Sequence, residues 1–184
     1  MTDEVERAVR IAEQQLAGPL PRRWRHVQSV GRKAQKLGLL PGVDREVLAS
    51  AGWLHDIGYA PGIRTTGFHA LDGARWLIRQ GFDPRLAGLV AHHSCALYEA
   101  EERGLADTLA AEFPYEESPT SDALAYADMT TGPDGQDLQV EARLAEIRER
   151  YGPDHLVTRF WYRAEPALMA SVRRTEARMA AQPM

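Results

Sequence analysis

Apolar residues in this chain return every three or four positions and almost nowhere in strict alternation, a period that restricts it to helices packed on helices. Val5, Val9, Ala12 and Leu16 form one stripe that stops at Gly18-Pro19. A second helix opens near Pro21 and carries His26, Val27, Val30, Ala34 and Leu37 up to Gly38. Asp44 is a candidate N-cap for a third, with Val47, Leu48, Ala51 and Leu54 inward and Gly58 as its stop. Beyond a loop rich in Gly, Pro and Thr at 60–67, a fourth helix is expected over 68–80. Asp83-Pro84 starts a fifth, with Leu86, Leu89, Val90 and Leu97 as its buried stripe. Residues 99–120 predict one short helix and a surface loop. A further helix over 121–130 ends at Gly132-Pro133-Asp134-Gly135, and another covers 137–151 with Leu144 and Ile147 inward. The last, over 154–182, is expected to break or kink at Pro166. With no repeat or linker to divide it, the chain reads as an all-α, single-domain helical bundle over 1–184. Its motif-bearing core lies at about 20–135, and the C-terminal helices at 137–182 pack on that core.

A chain of 184 residues can bury a real core without a disulfide or metal staple. No apolar run approaches the roughly 20 residues of a membrane span, and the acidic, amphipathic start is wrong for a signal peptide. The net charge of −4 gives no general pull toward nucleic acid. A single cysteine, Cys95, excludes an internal disulfide framework and fits a reducing cytoplasm, where we expect the protein to reside. Basic charge is almost all arginine, with only Lys33 and Lys36 as lysines, and arginine suits bidentate phosphate contacts. No nucleic-acid polymer and no membrane are expected as partners; a homodimer is left open.

The six histidines are His26, His55, His69, His92, His93 and His155, and most fall on apolar stripes of the second to fifth helices. His55 follows Ala51 by four and Leu48 by seven. His69 shares a face with Gly73, Trp76 and Leu77. His93 extends Leu86, Leu89 and Val90 at i+7, whereas His92 lies about 100° away. Asp56 adjoins His55, and Asp128 follows Leu124 by four. Any one of these could be a core residue bonded to a carbonyl, but polar groups aimed at a core cost several kcal/mol without a partner. Four imidazoles and two carboxylates from five helices could hold two divalent ions, with an aspartate bridging them. Such ligands favour iron, manganese, cobalt, nickel or zinc over magnesium. Two ions, two aspartates and a bridging hydroxide leave roughly one positive charge, which suits an anionic substrate. His93 is taken as the ligand, with His92 facing substrate, supporting a ligand or adding to the set. Cys95 lacks a base and reads as a small buried thiol, and His155 as an exposed helix-start residue.

The ordered motifs Arg23-Trp24-Arg25-His26, His55-Asp56-Ile57-Gly58 and Tyr126-Ala127-Asp128 resemble the HD-domain superfamily of metal-dependent phosphohydrolases. Phe68-His69-Ala70 with Gly73-Ala74, and Val90-Ala91-His92-His93, are similar to its six-ligand, two-metal branch, which includes the symmetrical dinucleoside-tetraphosphate hydrolases. The resemblance implies that His26, His55, Asp56 and Asp128 hold one metal, and that Asp56 bridges to a second completed by His69 and His93. Many two-metal members carry a lysine three positions after the Asp of the His-Asp pair. Here Tyr59 stands there, so the tetraphosphate substrate is not carried over. Substrate binding is expected from Tyr59 with Arg64, Arg23 and Arg75.

The expected function is hydrolysis of a phosphate ester of a nucleotide or other small metabolite by metal-bound hydroxide. Asp56 would set the metal spacing and His92 would protonate the leaving group. Two alternatives stay open: a di-iron oxygenase of the same fold acting on a small polar metabolite, and a catalytically silent nucleotide-binding module.

Overall fold

A computed structural model describes residues 2–181. The chain is all α-helical, with no strand among the described residues and one isolated bridge between Thr131 and Asp137. The first three helices are α1 (Asp3–Leu16), α2 (Pro21–Leu37) and α3 (Arg45–Leu54). They follow their stripes closely: Ala12 and Leu16 of α1 and Val27, Val30 and Ala34 of α2 are fully buried, although in α1 Ala8 is buried where Val9 was expected and Val9 is half-buried. Asp44 caps α3 as expected, its carboxylate accepting from the Val47 N–H. A Cβ at Gly52 would lie 2.6 Å from that of Ala34. That bare backbone lets α3 lie close on α2 and brings the rings of His26 and His55 to 5.3 Å, centroid to centroid.

The third helix stops earlier than its stripe suggests. It ends at Leu54, His55 forms its C-cap, and a 3-10 turn covers Ile57–Tyr59. Gly58 is therefore not a stop signal but a contact point. A Cβ there would sit 1.9 Å from the His69 carbonyl oxygen, so only glycine lets the next helix, α4 (His69–Arg79), start against this turn.

The largest departure follows α5 (Pro84–His92). The chain breaks at His93, makes a 3-10 turn over His93–Cys95, and restarts as α6 (Ala96–Glu102). Ser94 and Cys95 both adopt left-handed φ, at 48° and 62°, which costs non-glycine residues about 1–3 kcal/mol each. Leu97 consequently leaves the predicted stripe and is 37 % exposed. A second short helix, α7 (Ala106–Glu112), appears where only one was expected. Next comes α8 (Pro119–Met129), whose Ser118 cap and Ser121 satisfy each other's backbone N–H groups.

Two further helices complete the described chain. α9 (Val140–Tyr151) buries Leu144 and Ile147 as predicted, and α10 (Leu156–Ala180) runs unbroken through Pro166. The predicted end of this helix at Gln182 lies outside the described residues. Together α8, α9 and α10 enclose an apolar cluster containing Met129, Leu144, Ile147, Phe160, Trp161 and Leu168. No described helix is long and apolar enough to cross a membrane.

Candidate metal centre

Three backbone carbonyls orient three imidazoles. His26 Nδ1 lies 3.0 Å from the Gly132 carbonyl, His55 Nδ1 3.0 Å from that of Gly52, and His93 Nδ1 2.6 Å from that of Val90. A carbonyl can only accept, so each Nδ1 carries the proton and each Nε2 directs a lone pair inward. These tips meet one another and two carboxylates. His26 Nε2 is 3.3 Å from His55 Nε2 and 3.0 Å from Asp128 Oδ1, and Asp56 Oδ2 is 3.3 Å from His55 Nε2. On the other side, His69 Nε2 is 3.2 Å from His93 Nε2 and 3.6 Å from Asp56 Oδ1, with His93 at 4.0 Å from that oxygen.

Lone pairs facing lone pairs at such distances repel unless a proton or cation lies among them. Ligand bonds of about 2.1 Å put neighbouring donor atoms about 3.0 Å apart in an octahedron and about 3.4 Å apart in a tetrahedron. The observed separations cluster around these values. Two donor groups, His26/His55/Asp56 and Asp56/His69/His93, each have the composition and spacing to hold a metal ion. Asp56 belongs to both, turning Oδ2 to the first and Oδ1 to the second.

The charges are arranged to favour positive charge in the first group. Burial opposes an imidazolium at His55, yet Asp56 and Asp128 raise its pKa to about 9. Burial and the neighbouring His93 instead push His69 down to about 3. Asp56 and Asp128 are held ionised against their burial. Arg23 and His55 act on Asp56, and His26 and His55 on Asp128. The Ser94 hydroxyl donates to Asp128 Oδ2 at 2.5 Å and leaves Oδ1 toward the histidines, which gives the strained turn after α5 a local reason.

A cavity of about 250 Å³ opens on this centre, lined by Asp56, His69, His93 and Asp128. Of the residues expected to bind substrate, it takes in Arg23, Tyr59 and Arg64. Arg23 sits over the Tyr59 ring at 4.2 Å and donates to Asp56 Oδ2 at 2.7 Å, while Tyr59 stacks on His69 with centroids 4.1 Å apart. Arg75 is elsewhere: it forms a bidentate pair with Glu112 beside a separate groove and does not line the cavity. Thr65 and Thr66, in the loop that carries Arg64, turn both hydroxyls and both N–H groups onto Asp72. The loop is thereby fixed as an anion nest for a side chain of α4.

His92 is also placed away from the centre. It ends α5, its Nε2 donates to the Phe113 carbonyl at 2.7 Å, and its ring meets Tyr115 edge-on. It does not line the cavity. Cys95 is half-buried and its thiol is pushed up to about 12 by burial, consistent with an inert thiol. His155 is exposed and caps α10 by accepting the Val157 N–H.

The far wall of the cavity was not anticipated from the sequence. α9 supplies Arg143, Ile147, Arg150 and Tyr151, and α10 supplies Phe160 and Trp161. One signal was available, because Val140, Arg143, Leu144 and Ile147 stand at i, i+3, i+4 and i+7. An arginine thus occupies an inward position of an apolar stripe, and it is only 5 % exposed.

The sequence model of the HD domain matches residues 23–147, from Arg23 through all six candidate ligands and into α9. No curated protein and no solved structure matches the chain.

Proposed function

The chain belongs to the HD domain family, and from that premise we propose that it is a metal-dependent phosphohydrolase acting on a phosphate ester of a nucleotide or other small metabolite. The observation that carries this reading is Asp56, which offers one oxygen to each of two donor groups spaced for metal ions. His26, His55, Asp56 and Asp128 would hold one divalent transition metal, and Asp56, His69 and His93 a second. Iron, manganese, cobalt, nickel and zinc all suit this mixture of imidazole and carboxylate. Bound together, such ions supply Lewis-acid stabilisation of phosphoryl charge and an ionised water as nucleophile.

The chain's own residues supply the rest. Among the described residues, Asp56, His69 and His93 would hold the second ion, and three protein donors would leave it positions for water or substrate on the side of the cavity they line. Arg23, clamped between Asp56 and Tyr59, presents a guanidinium where a phosphoryl oxygen would enter. Arg64 makes no ion pair among the described residues and lies on a loop fixed by Asp72, so it is available to a phosphate. The carbonyl bonds at His26, His55 and His93 fix the tautomers and ring angles before any ligand arrives.

The decisive measurement pairs elemental analysis with phosphate release from a panel of phosphoesters. The native chain should carry up to two ions and release phosphate. Asp56→Asn should lose most metal and at least about 100-fold in activity while keeping its helical content. Metal retained by that variant would refute the bridging role. Oxygen consumption by iron-loaded protein with no phosphate release would refute the hydrolase.

A further inference from the structure

Arg143 is nearly wholly buried, yet among the described residues only its Nη1 has an acceptor, the carboxylate of Glu146. Its Nε is buried without any hydrogen-bond partner. A guanidinium left this incompletely satisfied is costly in a core and is expected where an acceptor arrives from outside. Glu146 cannot serve it fully, because the same oxygen also accepts from Arg150 Nη2 at 3.1 Å. Two cations therefore share one carboxylate, and both line the cavity. Ile147 and Tyr151 lie on the same face of α9, so the helix presents charge and apolar surface to the cavity together.

Of the other cavity arginines, Arg64, which lies without an ion pair among the described residues on the 60–67 loop, is assigned to the phosphate at the metal centre, and the remaining two are ion-paired. Arg23 is held by Asp56 and Arg103 by Glu99, with ion pairs of 2.7 and 2.6 Å. The uncompensated charge on the wall formed by α9 thus belongs to Arg143 and Arg150. We propose that these two residues form a second anion-binding subsite. The ligand is then a small molecule with an anionic group, carboxylate or phosphate, besides the phosphate at the metal centre. This deepens the phosphohydrolase reading and rests on it for the identity of the first group. A cavity of about 250 Å³ is smaller than the roughly 300–1,000 Å³ clefts of drug-sized ligands, which suits a compact doubly charged metabolite.

The test uses the full metal-loaded chain and a matched pair of non-hydrolysable probes, 5-phosphonopentanoate and pentylphosphonate, whose flexible chains can span the cavity. Calorimetry should show the carboxylate compound binding about tenfold tighter or more, the value of one charge-assisted hydrogen bond. Arg143→Gln and Arg150→Gln should each reduce that preference to within about twofold while leaving pentylphosphonate binding unchanged. Arg150 is more exposed than Arg143, so its variant carries the test if Arg143→Gln fails to fold. Equal binding of the two probes by the native chain, binding of neither, or a preference that survives Arg150→Gln would overturn the subsite. Phosphate release from the corresponding esters separates the two readings. Release without preference for the carboxylate ester removes the subsite alone, and tight carboxylate-dependent binding without release removes hydrolysis alone.

Discussion

Gly58→Ala would separate the two halves of the metal centre. The added methyl would stand 1.9 Å from the His69 carbonyl oxygen and 2.7 Å from the Gly73 nitrogen. Both are backbone atoms of α4, so no rotamer change relieves the clash, and the helix must retreat by about 1 Å to reach tolerable contact. Overpacking of this kind costs about 1–3 kcal/mol, which in a chain of this size lowers Tm by roughly 3–10 °C. The position of the damage is more informative than its size. His69 is the first residue of α4, and metal ligands tolerate displacements of only about 0.2 Å. His26, His55 and Asp128 stand on other elements and should keep their places. Equilibrium dialysis with elemental analysis should therefore show one ion retained near native affinity and the second weakened at least about 100-fold. Two ions bound with native affinity would refute the close-contact argument. Loss of both together would refute the independence of the two halves.

Two further changes test neighbouring parts of the site. Asp72→Asn removes the charge that gathers the N–H groups of Thr65, Thr66 and Gly67 and two hydroxyls, and should cost about 2–4 kcal/mol in urea titration. Those hydrogen bonds outweigh burial and lower the Asp72 pKa, so its contribution is present above the unfolded value near 3.8 and lost as pH falls through the folded value. The native advantage over the variant should shrink below about pH 4; an advantage unchanged at pH 3 would contradict the assignment. Arg23→Gln removes a cation 2.7 Å from Asp56, and should tighten metal binding about tenfold while raising KM for a phosphoester by a similar factor. Weaker metal binding in that variant would show that Arg23 supports the ligand rather than competing for it.

The sequence was most legible where one rule, a polar side chain on an apolar stripe, had a local cause. His26 on α2 and Asp128 on α8 obey it because both helices run through those positions. His55 obeys it although α3 has ended, since the C-cap retains helical φ and ψ. A helical angle favours His93 over His92, but the helix stops between them. Its ring reaches the centre because the chain turns there, with Ser94 and Cys95 left-handed. Nothing in Ser94-Cys95 announces such a turn, as neither residue is glycine or asparagine. What over-determines it is the Ser94 hydroxyl on Asp128, a contact 34 positions away in the chain that no local period can reveal.

Arg143 shows the opposite failure, a signal that was present but ambiguous. An arginine can lay its aliphatic stem along an apolar stripe and still keep its head in water, so an inward register alone does not bury the charge. A histidine has no such stem, which is why the same register was informative for His55 and His69. The structure decides the case by closing the cavity wall over the Arg143 guanidinium, which has one carboxylate to share with Arg150. Metal ligands and substrate contacts therefore differ in how far they can be read from sequence. The ligands have short side chains, so register suffices for His26, His55 and Asp128, whereas His93 needs the turn at Ser94-Cys95 as well. The cationic wall opposite them depends on where long side chains end, which is set only once α9 and α10 have packed against α8.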